Sequence, residues 1–237
     1  VDLLAFGPHP DDIEIGMGGT LARHVSDGFR VGLCDLTAGE MGSNGTVEER
    51  LAEGEAACRA LGADWRVNLR LPDRALGQPD HVRAIASLIR KVRPAAVAIP
   101  YGVDRHPDHV AAHRLLTDAV FNAGLRRYDA EGEAWRPEWV CAYFINDGAP
   151  ASFVVDVSAH YEVKRRALAC YVSQFTPTGS SAAATRLTAP TFRQLIESRD
   201  AQFGAVAGVA FAEGFVVRDP PLRADLFRTT TPERRSR

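Results

Sequence analysis

Histidine and aspartate residues cluster in two short segments that lie far apart along the chain. The first is Pro8-His9-Pro10-Asp11-Asp12, and the second is Asp104-Arg105-His106-Pro107-Asp108-His109. Imidazole and carboxylate groups are ligands of Zn²⁺ in catalytic sites, where three protein ligands leave one position for water. Because a single His-Pro-Asp sequence is often only a turn, it is the pair of clusters that predicts a metal site.

The first segment supplies two ligands and a base in this interpretation. His9 and Asp12 are the candidate ligands, and Asp11 is the candidate general base. Two adjacent carboxylates are poorly tolerated side by side in a cleft of low dielectric unless each has a partner. One carboxylate on the metal and one that takes a proton from water is a division that satisfies both.

The second segment offers three histidines for the remaining ligand position: His106, His109 and His113. His109 and His113 stand four residues apart, as two ligands on one face of a helix would, and Pro107 separates His106 from them. Spacing alone does not choose among the three. A histidine that is not on the metal would donate a proton to the leaving group or to the oxyanion, with Asp108 orienting its ring.

The elements that must position these clusters are strands. Residues 1–7, 31–36 and 95–100 are short apolar runs bounded by turn residues, as buried strands are. Helical patterns lie between them. Thr46 and Glu49 form a capping box that starts a helix ending at Gly62, and residues 81–93 carry a second amphipathic helix.

This alternation predicts an α/β chain: a Rossmann-like three-layer fold with a mostly parallel sheet. Ligands of such folds bind beyond the carboxyl ends of the strands, where both clusters lie. We expect one domain over residues 1–237. It comprises a Rossmann-like half (1–125), a smaller mixed C-terminal extension (126–228) and a flexible tail (229–237). Within the extension we expect strands at 140–145 and 153–157, helices at 161–172 and 191–203, and a mobile loop at 179–185.

Composition excludes several classes of protein. A net charge of −2 gives no general attraction for nucleic acid, and the apolar runs are too short to span a membrane. The start of the chain lacks the features of a secretory signal, so a cytoplasmic location is expected. The four scattered cysteines indicate neither a thiolate zinc site nor a disulfide framework. The glycines of Gly16-Met-Gly-Gly19 do not have dinucleotide-binding spacing, and close helix packing is the favoured interpretation.

The chain resembles the LmbE-like, or PIG-L, zinc-dependent N-acetylglucosamine deacetylases. The resemblance rests on Gly7-Pro-His-Pro-Asp-Asp-Ile-Glu14 and His106-Pro-Asp-His109 and extends over most of the chain. It is closest to the bacillithiol-pathway deacetylases, through Thr37-Ala-Gly-Glu-Met-Gly-Ser-Asn-Gly-Thr46, Glu49-Arg50 and Tyr171-Val-Ser-Gln-Phe175. Some relatives use a tyrosine from the C-terminal region near the oxyanion, but this chain has no tyrosine after Tyr171.

The resemblance implies a role for each site residue. His9, Asp12 and His109 bind zinc, Asp11 is the general base, and His106 is the protonated group that steadies the tetrahedral intermediate. His113 then supports a ligand or the fold. The resemblance also implies that Arg50 and Arg105, with Ser43 and Asn44, hold the malyl part of N-acetylglucosaminyl malate, since guanidinium groups suit carboxylates.

The same ligand set also suits Fe²⁺, Mn²⁺ or Co²⁺. Relatives often assemble as hexamers, so a homo-oligomer is expected by resemblance. Three alternatives stay open: the same reaction on another N-acetyl sugar or a mycothiol-type precursor or conjugate, a nucleotide-binding Rossmann protein, and a non-catalytic sugar-binding or metal-storage module. The acidic first turn at Asp11 and Asp12 disfavours a nucleotide, because it would repel a pyrophosphate.

Overall fold

A single seven-stranded sheet organises the chain. The computed structural model describes residues 1–178 and 182–219, and its strands follow the order β3-β2-β1-β4-β5-β7-β6. The strands are β1 Leu3–Gly7, β2 Val31–Asp35, β3 Trp65–Asn68, β4 Ala96–Pro100, β5 Trp139–Tyr143, β6 Phe153–Asp156 and β7 Ala212–Val216. Strands β1 to β5 pair in parallel, and β7 pairs antiparallel with both β5 and β6.

The connections of the parallel half run through helices, as the alternating pattern predicted. The helices are α1 Asp12–Ser26, α2 Val47–Leu61, α3 Pro79–Val92, α4 Pro107–Ala123, α5 Tyr161–Ala169, α6 Val172–Phe175 and α7 Pro190–Ala207. The predicted capping box at Thr46 and Glu49 is present, and Gly62 ends α2 with a φ of 76°. The predicted α/β fold with a mostly parallel sheet and a smaller mixed C-terminal extension is confirmed, and the strands of that extension pair antiparallel.

Two strands, β3 and β7, were not predicted from the sequence. Strand β3 is half-buried and carries Arg66, whose guanidinium pairs with Asp35 and Glu14 at 2.7 and 2.6 Å. Strand β7 is mostly buried but carries Glu213, which pairs with Lys164 at 2.6 Å. In both strands, a charged residue that is neutralised inside the fold interrupts the apolar pattern that marks a buried strand.

The core lies on both faces of the sheet. Along β1, Leu3 and Ala5 belong to the hydrophobic cluster that packs with α1, α2, α5 and α7, whereas Leu4 and Phe6 belong to the cluster that packs with α3 and α4. Such alternation buries a strand on both sides. A Cβ at Gly16 would overlap the ring of Tyr143 on β5. Close packing, the interpretation favoured from the sequence, therefore accounts for this glycine.

Cys34, Cys58 and Cys141 are buried, and Cys170 is partly exposed. No helix within residues 1–178 and 182–219 is long and apolar enough to cross a bilayer. The predicted tail at 229–237 lies outside the described residues, as does part of the predicted loop at 179–185.

Candidate metal centre and catalytic site

The two polar clusters meet where the strand order reverses. Strands β1 and β4 are neighbours in the sheet although α1, β2, α2, β3 and α3 separate them along the chain. Asp12 is the first residue of α1, directly after β1, and His109 lies in the first turn of α4, after β4. The crevice between two such strand ends is the usual ligand site of open α/β sheets. The fold thereby brings distant segments together.

Three of the predicted ligands form one compact group. His9, Asp12 and His109 each offer an atom within 4.8 Å of the others, and all three residues are buried. Nδ1 of His9 lies 3.0 Å from Oδ2 of Asp12, and Nε2 of His109 lies 3.4 Å from Oδ1 of Asp12. Tetrahedral zinc with bonds of about 2.0–2.2 Å has ligand atoms roughly 3.3–3.6 Å apart. The imidazole and carboxylate donors suit a small divalent cation; the distance between His109 and Asp12 lies within this range, and that between His9 and Asp12 lies just below it.

The electrostatics of this group are those of a site built for positive charge. Burial opposes protonation of His109, but the carboxylates of Asp12 and Asp104 outweigh it and raise its pKa to about 9. Burial likewise opposes protonation of His9, and nearby carboxylates raise its pKa well above the usual value. Burial would raise the pKa of Asp12, but His109 and His9 hold it well below its usual range. The carboxylates around the two imidazoles therefore favour positive charge in this group.

Asp11, the predicted base, lies beside this group in an unusual backbone conformation. Its φ is 111°, a left-handed value that side-chain-bearing residues seldom adopt outside sites that require it. Nη2 of Arg50 lies 3.3 Å from Oδ2 of Asp11, and the same guanidinium donates to Pro10 O and Gly39 O. Burial raises the pKa of Asp11 to about 7, although Arg50 opposes the shift. Such a carboxyl group can exchange protons near neutral pH.

His106 faces the same cavity, with its ring stacked on that of His109 at a centroid distance of 4.6 Å. Its Nδ1 accepts the backbone N–H of Asp108 at 3.2 Å, which caps α4. In the neutral ring this leaves the proton on Nε2. Burial and the neighbouring histidines His109 and His9 lower the pKa of His106. The role of this ring in catalysis stays a prediction.

The role expected of Asp108 needs correction. Its Oδ2 is 4.0 Å from Nδ1 of His106, too far for a hydrogen bond, so its backbone and not its carboxylate orients that ring. The carboxylate is buried and directed elsewhere. Oδ1 pairs with Arg74 at 3.3 Å, and Oδ2 lies 3.6 Å from Nε2 of His9 with no hydrogen-bond partner among the described residues.

His113 lies outside the group formed by His9, Asp12 and His109. Its Nδ1 hydrogen-bonds to the carbonyl oxygen of Pro100 at 2.9 Å, at the end of β4. His109 instead contacts Asp104, whose Oδ1 lies 3.1 Å from Nδ1. Asn146 donates to the same Oδ1 at 3.0 Å. Neither Asp104 nor Asn146 was assigned a role from the sequence, although Asp104 stands inside the second cluster.

The predicted substrate residues differ in their positions. Ser43, Arg50 and Arg105 line the cavity beside the metal group. The three guanidinium hydrogen bonds of Arg50 go to the protein, whereas Arg105 is exposed. Asn44 is buried, and its side-chain amide donates to Ala183 O and accepts from Ala183 N at 2.9 and 2.8 Å. Contact of these residues with substrate stays a prediction.

Two lining residues come from a loop that the sequence analysis passed over. Asp73 and Arg74 follow β3, whose carboxyl end lies at the same edge of the sheet. Because β3 lacks the apolar pattern of a buried strand, the sequence did not predict that its loop lies at this edge. The Pro72-Asp73-Arg74 sequence itself was the available signal.

Comparisons with known proteins identify the family of this chain. The model of the family described as PIG-L, GlcNAc-PI de-N-acetylase, matches residues 4–120. A diacetylchitobiose deacetylase of Thermococcus kodakarensis is 33% identical, over 73% of this chain and 70% of that protein. A 1D-myo-inositol 2-acetamido-2-deoxy-alpha-D-glucopyranoside deacetylase 2 of Catenulispora acidiphila is 30% identical, over 75% of this chain and 81% of that protein. The crystal structure of a conserved protein from Thermus thermophilus is 41% identical, with a TM-score of 0.87 over 97% of this chain and 100% of that one. The chain therefore belongs to the PIG-L, or LmbE-like, deacetylase family.

Proposed function

We propose that this protein is a metal-dependent hydrolase that removes the N-acetyl group from an N-acetylglucosaminyl conjugate. One observation carries the proposal: a buried His9, Asp12 and His109 group shares its cavity with Asp11, the candidate base, and His106, the candidate proton donor. Relatives named as deacetylases of N-acetylated sugars support it. Water adds to the acetyl carbonyl carbon, the C–N bond breaks, and acetate and a free amine leave.

His9, Asp12 and His109 would hold the cation, which we propose to be Zn²⁺. When bound, such an ion lowers the pKa of water and polarises a carbonyl oxygen. Fe²⁺, Mn²⁺ and Co²⁺ suit the same imidazole and carboxylate donors. Oδ2 of Asp108 is buried, has no hydrogen-bond partner in the described part of the chain and lies 3.6 Å from Nε2 of His9, where its negative charge favours a cation in this group.

Asp11 is the group that takes the proton from the attacking water. Arg50 donates a hydrogen bond to Oδ2 of Asp11 and so orients the carboxylate. The burial that raises the pKa of Asp11 makes this carboxylate a stronger base than an exposed aspartate. Arg50 is thus proposed to act through Asp11, in addition to the substrate contact that the resemblance implied.

His106 is the group that donates. With Nδ1 occupied by the Asp108 N–H, its Nε2–H is free to hydrogen-bond to the oxygen that becomes negative as the tetrahedral intermediate forms. The departing amine then takes a proton from either Asp11 or His106. Asp108 supports this donor through its backbone.

The proposed substrate is N-acetylglucosaminyl malate, an intermediate of bacillithiol biosynthesis. The cavity has a volume of about 230 Å³, below the roughly 300–1,000 Å³ of pockets that enclose drug-sized ligands, which suits one sugar ring with its acetamido group. The aglycone would then lie at the rim, where Arg105 and Arg74 supply cations for carboxylates. Ser43 lies on the same rim.

A second substrate class is the neutral conjugate, with inositol or a second sugar as aglycone. The names of the Catenulispora and Thermococcus relatives favour it. A substrate panel separates the two. Acetate release from N-acetylglucosaminyl malate should exceed release from the inositol conjugate and from diacetylchitobiose, and equal rates would remove the basis for the malate proposal.

Two variants test the mechanism. Asp11→Asn should retain the metal and lose turnover by at least about 100-fold, the usual contribution of a general base. His109→Ala should lose the metal itself. Metal content and acetate release are measured on the same preparations. Full activity after complete removal of metal by a chelator, or normal turnover in Asp11→Asn, would refute the proposal.

Size-exclusion chromatography with light scattering would test the expected homo-oligomer.

A further inference from the structure

Both ring nitrogens of His9 contact carboxylates. Nδ1 lies 3.0 Å from Oδ2 of Asp12 inside the candidate metal group. Nε2 lies on the other side of the ring, 3.2 Å from Oδ1 of Asp73. The side chain of Asp73 is only 5% exposed, so water competes little for this contact.

We infer that Asp73 is a positioning residue of the metal site, acting through His9. A carboxylate that accepts the Nε2–H of His9 fixes the tautomer, and this directs the Nδ1 lone pair toward Asp12. Metal-binding histidines commonly donate their second N–H in this way, which orients the ring and strengthens it as a ligand. The inference rests on the proposed metal-dependent function.

The second histidine of the group shows the same arrangement. Nε2 of His109 faces Asp12, and its Nδ1 lies 3.1 Å from Oδ1 of Asp104. Each imidazole thus has one nitrogen at Asp12 and the other at a carboxylate outside the ligand set. This repetition on two separate strand ends is what distinguishes a supporting role for Asp73 from a chance approach.

Asp73 also holds the rim of the cavity. Its Oδ2 accepts the backbone N–H of Met41 at 3.1 Å, and its own N–H donates to Oε1 of Glu40 at 2.6 Å. One carboxylate therefore joins His9 to the loop that carries Met41 and Ser43, both of which line the cavity. We expect loss of Asp73 to loosen the metal ligand and the rim together.

Asp73 also lines the cavity, so a direct substrate contact is the competing explanation. The two differ in an experiment without substrate. A substrate contact changes KM and kcat and leaves metal affinity as it was. A positioning role weakens metal binding even when no sugar is present.

The test compares wild type, Asp73→Asn, Asp73→Ala and His109→Ala, with Asp80→Asn as a control at an exposed aspartate on α3. The dissociation constant for Zn²⁺ is measured on metal-free protein by competition with a chromophoric chelator. The absorption spectrum of the Co²⁺-loaded protein gives a second readout of ligand geometry. Circular dichroism and melting of the metal-free forms identify any variant that does not fold.

We expect Asp73→Ala to bind Zn²⁺ about 10- to 100-fold more weakly than wild type. Asp73→Asn can keep either the His9 or the Met41 contact, so its affinity for Zn²⁺ should lie between those of wild type and Asp73→Ala. If Asp73→Ala fails to fold, Asp73→Asn alone decides. Asp80→Asn should match wild type. Zn²⁺ affinity in the folded Asp73 variants within twofold of wild type would overturn the inference alone, whereas a wild type that binds no Zn²⁺ would overturn the proposed function with it.

Discussion

Lys164 is buried beneath helix α1, where it pairs with two carboxylates at once. Its Nζ lies 2.6 Å from Oδ2 of Asp200 and 2.6 Å from Oε1 of Glu213, and all three side chains are at most 1% exposed. Glu213 also accepts the backbone N–H groups of Gly19 and Thr20. One cation therefore joins α1, α5, α7 and β7.

Lys164→Met removes that charge and keeps most of the side-chain volume. Breaking a buried ion pair from one side costs about 3–5 kcal/mol, because the remaining charge stays buried without its partner. Asp200 keeps Tyr161 and Arg199 as donors, and Glu213 keeps its backbone donors, so we expect the lower end, about 3 kcal/mol. For a chain of this size, that corresponds to a melting temperature lower by roughly 6–12 °C.

Urea unfolding and thermal melting, both followed by circular dichroism, measure the loss. Lys91→Met is the matched control, since it makes the same chemical change at an exposed position of α3. The control should change the free energy of unfolding by less than about 0.5 kcal/mol. A Lys164→Met protein within about 1 kcal/mol of wild type would mean that the buried carboxylates do not depend on this cation.

The remaining predictions concern the rim and the packing of α1. Arg105→Ala should raise KM for N-acetylglucosaminyl malate by about 10- to 100-fold, which corresponds to the loss of one charge-assisted hydrogen bond, and should leave KM for diacetylchitobiose unchanged. Steady-state kinetics with both sugars measure this, and equal changes in the two KM values would show that Arg105 does not contact the aglycone. Gly16→Ala should lower the free energy of unfolding by about 1–3 kcal/mol, because the new methyl group overlaps Tyr143. Gly148→Ala, where a Cβ meets no atom within 4 Å, should have little effect. Equal urea midpoints for the two variants would contradict the packing argument.

The sequence predicted the centre of the site because both clusters directly follow apolar strands. Parallel strands present their carboxyl ends at one edge, so polar residues after β1 and β4 had to meet if those strands were neighbours. His9, Asp12 and His109 lie together for this reason. The choice of His109 over His106 and His113 came from the family resemblance and not from spacing.

The surroundings of the site could not be predicted in the same way. Asp73 and Arg74 follow a strand whose apolar pattern is interrupted by Arg66, and Asn146 follows β5 in a loop without a motif. The guanidinium of Arg50 donates to the carboxylate of Asp11, 39 positions away along the chain, and to the backbone carbonyls of Pro10 and Gly39, and no sequence pattern marks these partners. Local patterns indicate elements and clusters, but they do not indicate which side chains will satisfy one another across the fold.

Helix α1 packs closely against its neighbours at two glycines. Gly16 lies against Tyr143, and a Cβ at Gly19 would approach Val157 to 2.8 Å. Asp12, a candidate metal ligand, is the first residue of this helix and so stands on a closely packed platform, whereas Met41, Ser43 and Arg105 belong to connecting segments. Directed evolution toward new glycosides should therefore accumulate tolerated changes in those connecting segments and find few in the platform.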